Sequence, residues 1–245
     1  MLLLKTNADC QFKSILSRIL GGDCGVVSHD DARDAIECLK QGHGIGCDDM
    51  MLKIDTEGRE YALLPELKAV ITEFLDFIPR RVLDALPKVT VVVDLPPPET
   101  CPSIGAWNND GNKMSIHGRI FDDRNSDGTM RSREEIVDHL RKTIFHELMH
   151  WVHLRGPDSF KAAIQAHFDA RTVNQPILDL PSGYKGRGKD GGFWDPYMGS
   201  TNTGEGVEIP TRCAELLADP QAFAERWNNL RHRETMEIFA AILES

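Results

Sequence analysis

Residues 145–153 read FHELMHWVH, three histidines and a glutamate within nine positions. On an α-helix, residues four apart stand one above the other on the same face, so His146 and His150 can aim their imidazoles at a single point. Neutral imidazole is a favoured zinc ligand, and Glu147 follows the first histidine and projects beside that point. A carboxylate so placed can take a proton from a water whose pKa the metal has lowered to roughly 7. The spacing therefore predicts a metal-holding helix, with His146 and His150 as ligands and Glu147 as the catalytic base. Chance occurrence of HExxH, or histidines that are merely solvated, would explain the same letters. Against that, Phe145, Leu148, Met149 and Trp151 make the turn largely apolar, where a histidine without a partner is costly.

His153 shares the face of His146 and His150. Seven residues of helix rise about 10.5 Å, however, and one ion is not comfortably reached from both ends of that span. His153 is therefore expected at the surface or as a support behind the ligands. The metzincin pattern HExxHxxGxxH also fails, because His153 stands where that pattern has glycine and Gly156 where it has its third histidine. The third ligand has to come from elsewhere in the chain.

These residues need elements to hold them. Ser132 and Glu135 have capping-box spacing, and Ile136, Val137, Leu140, Ile144 and Leu148 trace one apolar stripe that Gly156-Pro157 stops, so the metal helix is well bounded. Upstream, VTVVVDL is rich in β-branched residues and reads as a strand, and SIGAWNNDGNKMSIHGRIF reads as a hairpin turning at Asn109, Asp110 and Gly111. Before them, LLPELKAVITEFLDFIPRRVLDALP reads as a helix broken at Pro79. In the first sixty residues, FKSILSRIL and SHDDARDAIECLKQG both carry helical spacing. Downstream come a helix near SFKAAIQAHFDA, a glycine-rich loop from Leu180 to Gly206, and a helical C-terminus punctuated by Asp219-Pro220. The expected fold class is α+β: a small mixed or antiparallel sheet packed on the active-site helix, with a mostly helical C-terminal part. Residues 1–60 are expected as an N-terminal helical segment and residues 61–245 as the catalytic domain.

HELMH resembles the zinc motif of the zincin metallopeptidases, which implies a zincin-like fold and hydrolysis of peptide bonds. In their gluzincin branch the third ligand is a glutamate on a later helix, with a small residue three positions on. Glu208-Ile209-Pro210-Thr211 resembles that pattern, which implies Glu208 as the third zinc ligand, with Pro210 in a first helical turn and Thr211 as the small residue. Glu215 is the rival, seven residues on and on the same face, and its spacing to Asp219 is similar to that of thermolysin-like enzymes. A solvated acidic face is the third explanation. HELMH, EIPTRCAELLADP and the terminal EIFAAILES also look like the parts of small phage and prophage-type metallopeptidases, over residues 89–245. The resemblance implies that Glu147 activates water and later protonates the leaving amine. It also implies that a strand around Lys113 to His117 aligns a peptide by edge pairing, and that an oxyanion-stabilising donor is present, for which Tyr197 is the candidate.

Asp123, Asn125, Asp127, Gly128 and Glu134 match a calcium-loop spacing and predict a second cation site, Ca2+ beside Zn2+. A strand rather than a helix enters this loop, and an acidic turn capping the metal helix accounts for the same residues. KGRGKDGG follows no strand and fits no phosphate-binding pattern, so it reads as a surface loop or lid.

Composition narrows the partners. The net charge of −10 argues against nucleic acid and anionic membranes, and 41% hydrophobic residues are enough for a real core. The opening MLLLKTNADC has only three leucines before a lysine, which predicts a cytoplasmic protein without a signal peptide. Six cysteines without a CxxC pair predict reduced structural thiols, with a metal-masking thiolate among Cys10, Cys24, Cys38 and Cys47 as the competing role. The expected activity is zinc-dependent cleavage of a peptide or protein substrate. The alternatives are a catalytically silent, metal-stabilised structural or host-interaction protein, and a zinc hydrolase of a non-peptide amide.

Overall fold

The structure, a computed structural model, describes residues 26–40, 52–55, 63–94, 105–108, 112–117, 129–180, 185–187, 193–201 and 206–244. Four valines and a threonine make Val89–Asp94 (β2) a strand, because branched side chains pack well on a pleated surface. Val89, Val91, Val92 and Val93 are all buried, so both faces of β2 are covered. Leu52–Asp55 (β1) pairs parallel with β2 on one side, in register Ile54 with Val91. Lys113–His117 (β4) pairs parallel with it on the other, Val92 with Ser115, and Gly105–Asn108 (β3) closes the predicted hairpin antiparallel to β4. The order across this mixed sheet is β1-β2-β4-β3.

Two expectations change here. Residues 52–55 lie in the stretch expected to be helical, yet they form a strand. LKID is too short to show a period of its own, and its conformation is set by pairing with β2 thirty-odd positions later. Secondly, β4 is hydrogen-bonded on both sides and cannot align a peptide by edge pairing. Among the described residues the outer strand on that side of the sheet is β3, which also lies against the helix carrying His146 and His150.

His29–Leu39 (α1) starts at a capping box made by Ser28 and Asp31, and buries Ala32, Ala35, Ile36 and Leu39. Leu64–Phe77 (α2) and Arg80–Ala85 (α3) are the helix broken at Pro79; Ile78 is extended, as the residue before a proline prefers. The helix expected to hold the metal is Arg133–Arg155 (α4), and its capping box is as expected, with the Glu135 N–H donating to Ser132 Oγ at 3.1 Å. Beyond Leu140 the predicted single stripe gives way to burial on nearly every side, from Thr143 to His153 except for a partly exposed His146. Such a helix lies inside the protein rather than on it. Phe145 wedges edge-on between Phe74 and Phe77 of α2, and the Trp151 indole N–H donates to Pro87 O at 3.1 Å. Burying a side chain the size of Phe145 contributes on the order of 2–3 kcal/mol.

Asp158–Thr172 (α5), Glu208–Leu217 (α6), Pro220–Asn228 (α7) and Leu230–Glu244 (α8) make up the helical C-terminal part. α6 runs along α4 and forms the principal helix seam, while α7 receives α1. The side chain of Asn228 holds the backbone of Val27 through both its amide and its carbonyl, at 2.9 and 2.8 Å. Within the glycine-rich loop, Lys185–Gly186 pairs antiparallel with Leu178–Asp179, and Pro196–Gly199 forms a 3₁₀ turn. Gly199 is required there, since a Cβ on it would fall 1.7 Å from the Arg187 carbonyl oxygen. No helix among the described residues is long and apolar enough to cross a membrane.

Candidate metal centre

The seam between α4 and α6 brings the predicted residues together. His146 and His150 are one turn apart, their rings edge-on with centroids 4.9 Å apart. Glu208, the first residue of α6, is 0% exposed. Its Oε2 lies 3.4 Å from His146 Nε2 and 3.7 Å from His150 Nε2. One ligand atom from each of the three lies within 4.8 Å of the others, and among the described residues these three form the group of ligand type. The spacings are longer than good hydrogen bonds. Two atoms each ~2.1 Å from a tetrahedral zinc ion stand about 3.4 Å apart, so the donors are spaced to share an ion. Two imidazoles and a carboxylate also match the donor set of zinc sites that leave one position open.

Glu215 has a different task from the one its spacing suggested. Its Oε1 lies 2.7 Å from the other ring nitrogen of His146, Nδ1. A carboxylate there accepts a hydrogen bond from Nδ1–H, which keeps the proton on Nδ1 and leaves the Nε2 lone pair facing Glu208 and His150. Glu215 thus lies behind His146 and outside the converging group. The Thr211 hydroxyl, expected only as a small side chain, is 3.0 Å from the Glu208 carbonyl oxygen and 3.1 Å from Glu208 Oε2. It therefore steadies the carboxylate from within the same turn. Arg212 donates from Nη1 to both Glu215 oxygens, at 2.8 and 3.0 Å. Asp219 serves α7 rather than this centre: it caps that helix through the Ala222 N–H at 3.0 Å and pairs with Lys142 at 2.7 Å.

Electrostatics separates the two histidines. Burial alone would depress His146, but the Glu215 hydrogen bond and the charges of Glu147, Glu215 and Glu208 lift it above its ordinary value. His150 lies well below its ordinary value, pushed there by burial and then by the nearby His146. Burial would raise the Glu215 carboxyl, yet the His146 hydrogen bond and Arg212 outweigh it and hold it below its usual range. The seam therefore favours an anionic Glu215 and a neutral His150, and a metal ion entering it competes with a proton on His146.

The other predicted residues fall as follows. Glu147 is buried in the same turn, and its charge acts on His146. Tyr197 sits in the 3₁₀ turn with its ring 5.0 Å from the Arg212 guanidinium carbon, so it reaches the centre through Arg212. His153 is not a surface residue: it is 5% exposed, tilts against Phe160 at 5.3 Å, and its Nδ1 has no hydrogen-bond partner among the described residues. Burial pushes it down to about 4. Asp123, Asn125 and Asp127 lie outside the described residues, and Glu134 is exposed in the first turn of α4. Cys213 is a fully buried thiol that burial pushes up, as expected of a structural cysteine. Arg212 and Asp195 escaped the sequence reading; the Arg212-to-Glu215 spacing of three on one helix was the one available sign of the pair. Comparison with protein-family models, curated proteins and solved structures returns no match.

Proposed function

We propose that this chain is a zinc metallopeptidase of the HExxH type, with a zincin-like, gluzincin-type centre formed by His146, His150 and Glu208. The observation that carries the proposal is the convergence of His146 Nε2, His150 Nε2 and Glu208 Oε2 at spacings suited to one ion. The hydrogen bond from Glu215 to the opposite face of His146 supports it, since a ring fixed by a carboxylate behind it is what a metal ligand requires. Zinc held there supplies a Lewis acid that polarises a carbonyl and acidifies water.

The chain's own residues do the rest. Glu147 accepts the proton of the attacking water and returns it to the departing amine; its burial in the ligand turn keeps that carboxylate out of bulk solvent. Peptide backbone pairs with β3, the outer strand beside α4, in the role first expected of β4. Tyr197, its ring 5.0 Å from the Arg212 guanidinium carbon, is the candidate to donate an O–H hydrogen bond to the developing oxyanion.

Metal analysis and peptide turnover test the proposal together. Wild-type protein should carry one zinc per chain and cleave a peptide library, and Glu147→Gln should keep its zinc while turnover falls by about 10²–10⁴-fold. Stoichiometric zinc with no cleavage at high protein concentration would turn the chain into a metal-stabilised, non-catalytic protein. Absence of zinc binding would remove the proposal altogether.

A further inference from the structure

Arg212 lies one helical turn beyond Glu208 and touches three groups at once. Nη1 donates to both oxygens of Glu215, at 2.8 and 3.0 Å. Nε faces Asp195 Oδ2 at 3.2 Å, an ion pair rather than an aligned hydrogen bond. The guanidinium carbon lies over the Tyr197 ring, 5.0 Å from its centroid. Each neighbour leads further. Glu215 Oε1, which takes Nη1, is also the oxygen at 2.7 Å from His146 Nδ1. Asp195 Oδ1 accepts the Tyr197 N–H at 2.8 Å and so begins the 3₁₀ turn.

We infer that Arg212 is a positioning residue whose guanidinium joins the orientation of His146 to the placement of Tyr197, through Glu215 on one side and Asp195 on the other. The inference rests on the zinc proposal above. The physical reason is charge and shape. Glu215 is largely buried between a histidine and an arginine, and without Arg212 its carboxylate loses both Nη1 hydrogen bonds and is free to turn away from His146. The His146 ring then loses the anion that fixes its tautomer. A flat fork can donate to one carboxylate, pair with a second and lie over a ring at once; a lysine ammonium supplies the charge without that shape.

Zinc affinity by chelator competition and the visible spectrum of the cobalt-substituted protein provide readouts independent of turnover. Arg212→Met should weaken zinc by about 10–100-fold and shift the cobalt bands. Arg212→Lys should recover part of the affinity without the wild-type spectrum. Glu215→Gln combined with Arg212→Met should bind zinc no more weakly than Glu215→Gln alone, because Arg212 acts through Glu215. Wild-type affinity and unchanged cobalt bands in the arginine variants would overturn the inference and leave the zinc proposal standing. Fully additive losses in the double variant would overturn the route through Glu215. Should Arg212→Met fail to fold, Arg212→Lys carries the same test, with unchanged affinity and bands again the overturning result. Failure of the wild type to bind zinc would remove the inference together with the zinc proposal.

Discussion

His146 has a partner on each ring nitrogen, Glu208 facing Nε2 and Glu215 bonded to Nδ1, and this divides two glutamates that look alike on a helix wheel. Glu208 begins α6 at full burial, whereas Glu215, two turns later, reaches the back of the same ring. His153 shows a third histidine environment, buried against Phe160 with a value of about 4. Its folded value lies below the unfolded one of about 6.5, so the unfolded chain takes up the proton first as pH falls. The resulting stabilisation is fully present above about pH 6.5 and is lost towards pH 4, a total of about 3 kcal/mol with about 2 kcal/mol gone by pH 5. Urea unfolding with chelator present, at pH 7 and pH 5, should therefore show a smaller acid penalty for His153→Leu than for wild type. Equal penalties would mean that His153 is not the titrating group.

At the scale of elements, α4 has a start set by local chemistry and a middle set by its neighbours. Ser132 and Glu135 satisfy each other's backbone N–H groups, at 2.6 and 3.1 Å. Ser132→Ala should cost about 1 kcal/mol in denaturant unfolding. From Ser132 to His146 the helix climbs about 21 Å, so zinc affinity should not change; a loss there would mean that the cap sets the position of the ligands. The capping box and the Gly156-Pro157 stop were legible because they depend on residues a few positions apart. Burial around Thr143–His153 was not, because it comes from α2, α6 and β3, which lie far off in sequence.

For the molecule as a whole, the proposed ion bridges α4 and α6, which form the principal helix seam. A ligand that binds only the folded state stabilises it by mass action, so free zinc at a hundred times its dissociation constant should add ~2.7 kcal/mol. Thermal melts with and without chelator should show this shift in wild type and in Glu147→Gln, and lose it in Glu208→Ala. A shift that survives in Glu208→Ala would place the stabilising metal elsewhere. The N-terminal stretch contributes to the same body: α1 buries Ala32, Ala35, Ile36 and Leu39 within the common core, and Val27 is held by Asn228.

Sequence alone determined the local features: the HExxH helix and its caps, the break at Pro79, the β2 strand, the β3–β4 hairpin and the glutamate-led helix from Glu208. Each depends on periodicity, capping or turn chemistry among near neighbours, which can be read from the order of residues. Only the tertiary structure decided which glutamate faces which nitrogen of His146, that β4 lies inside the sheet, that residues 52–55 form a strand, and that Arg212 spans Glu215 and Asp195. Those outcomes depend on which segments, tens of residues apart, share a seam, and on the desolvation that makes a buried carboxylate seek a partner there.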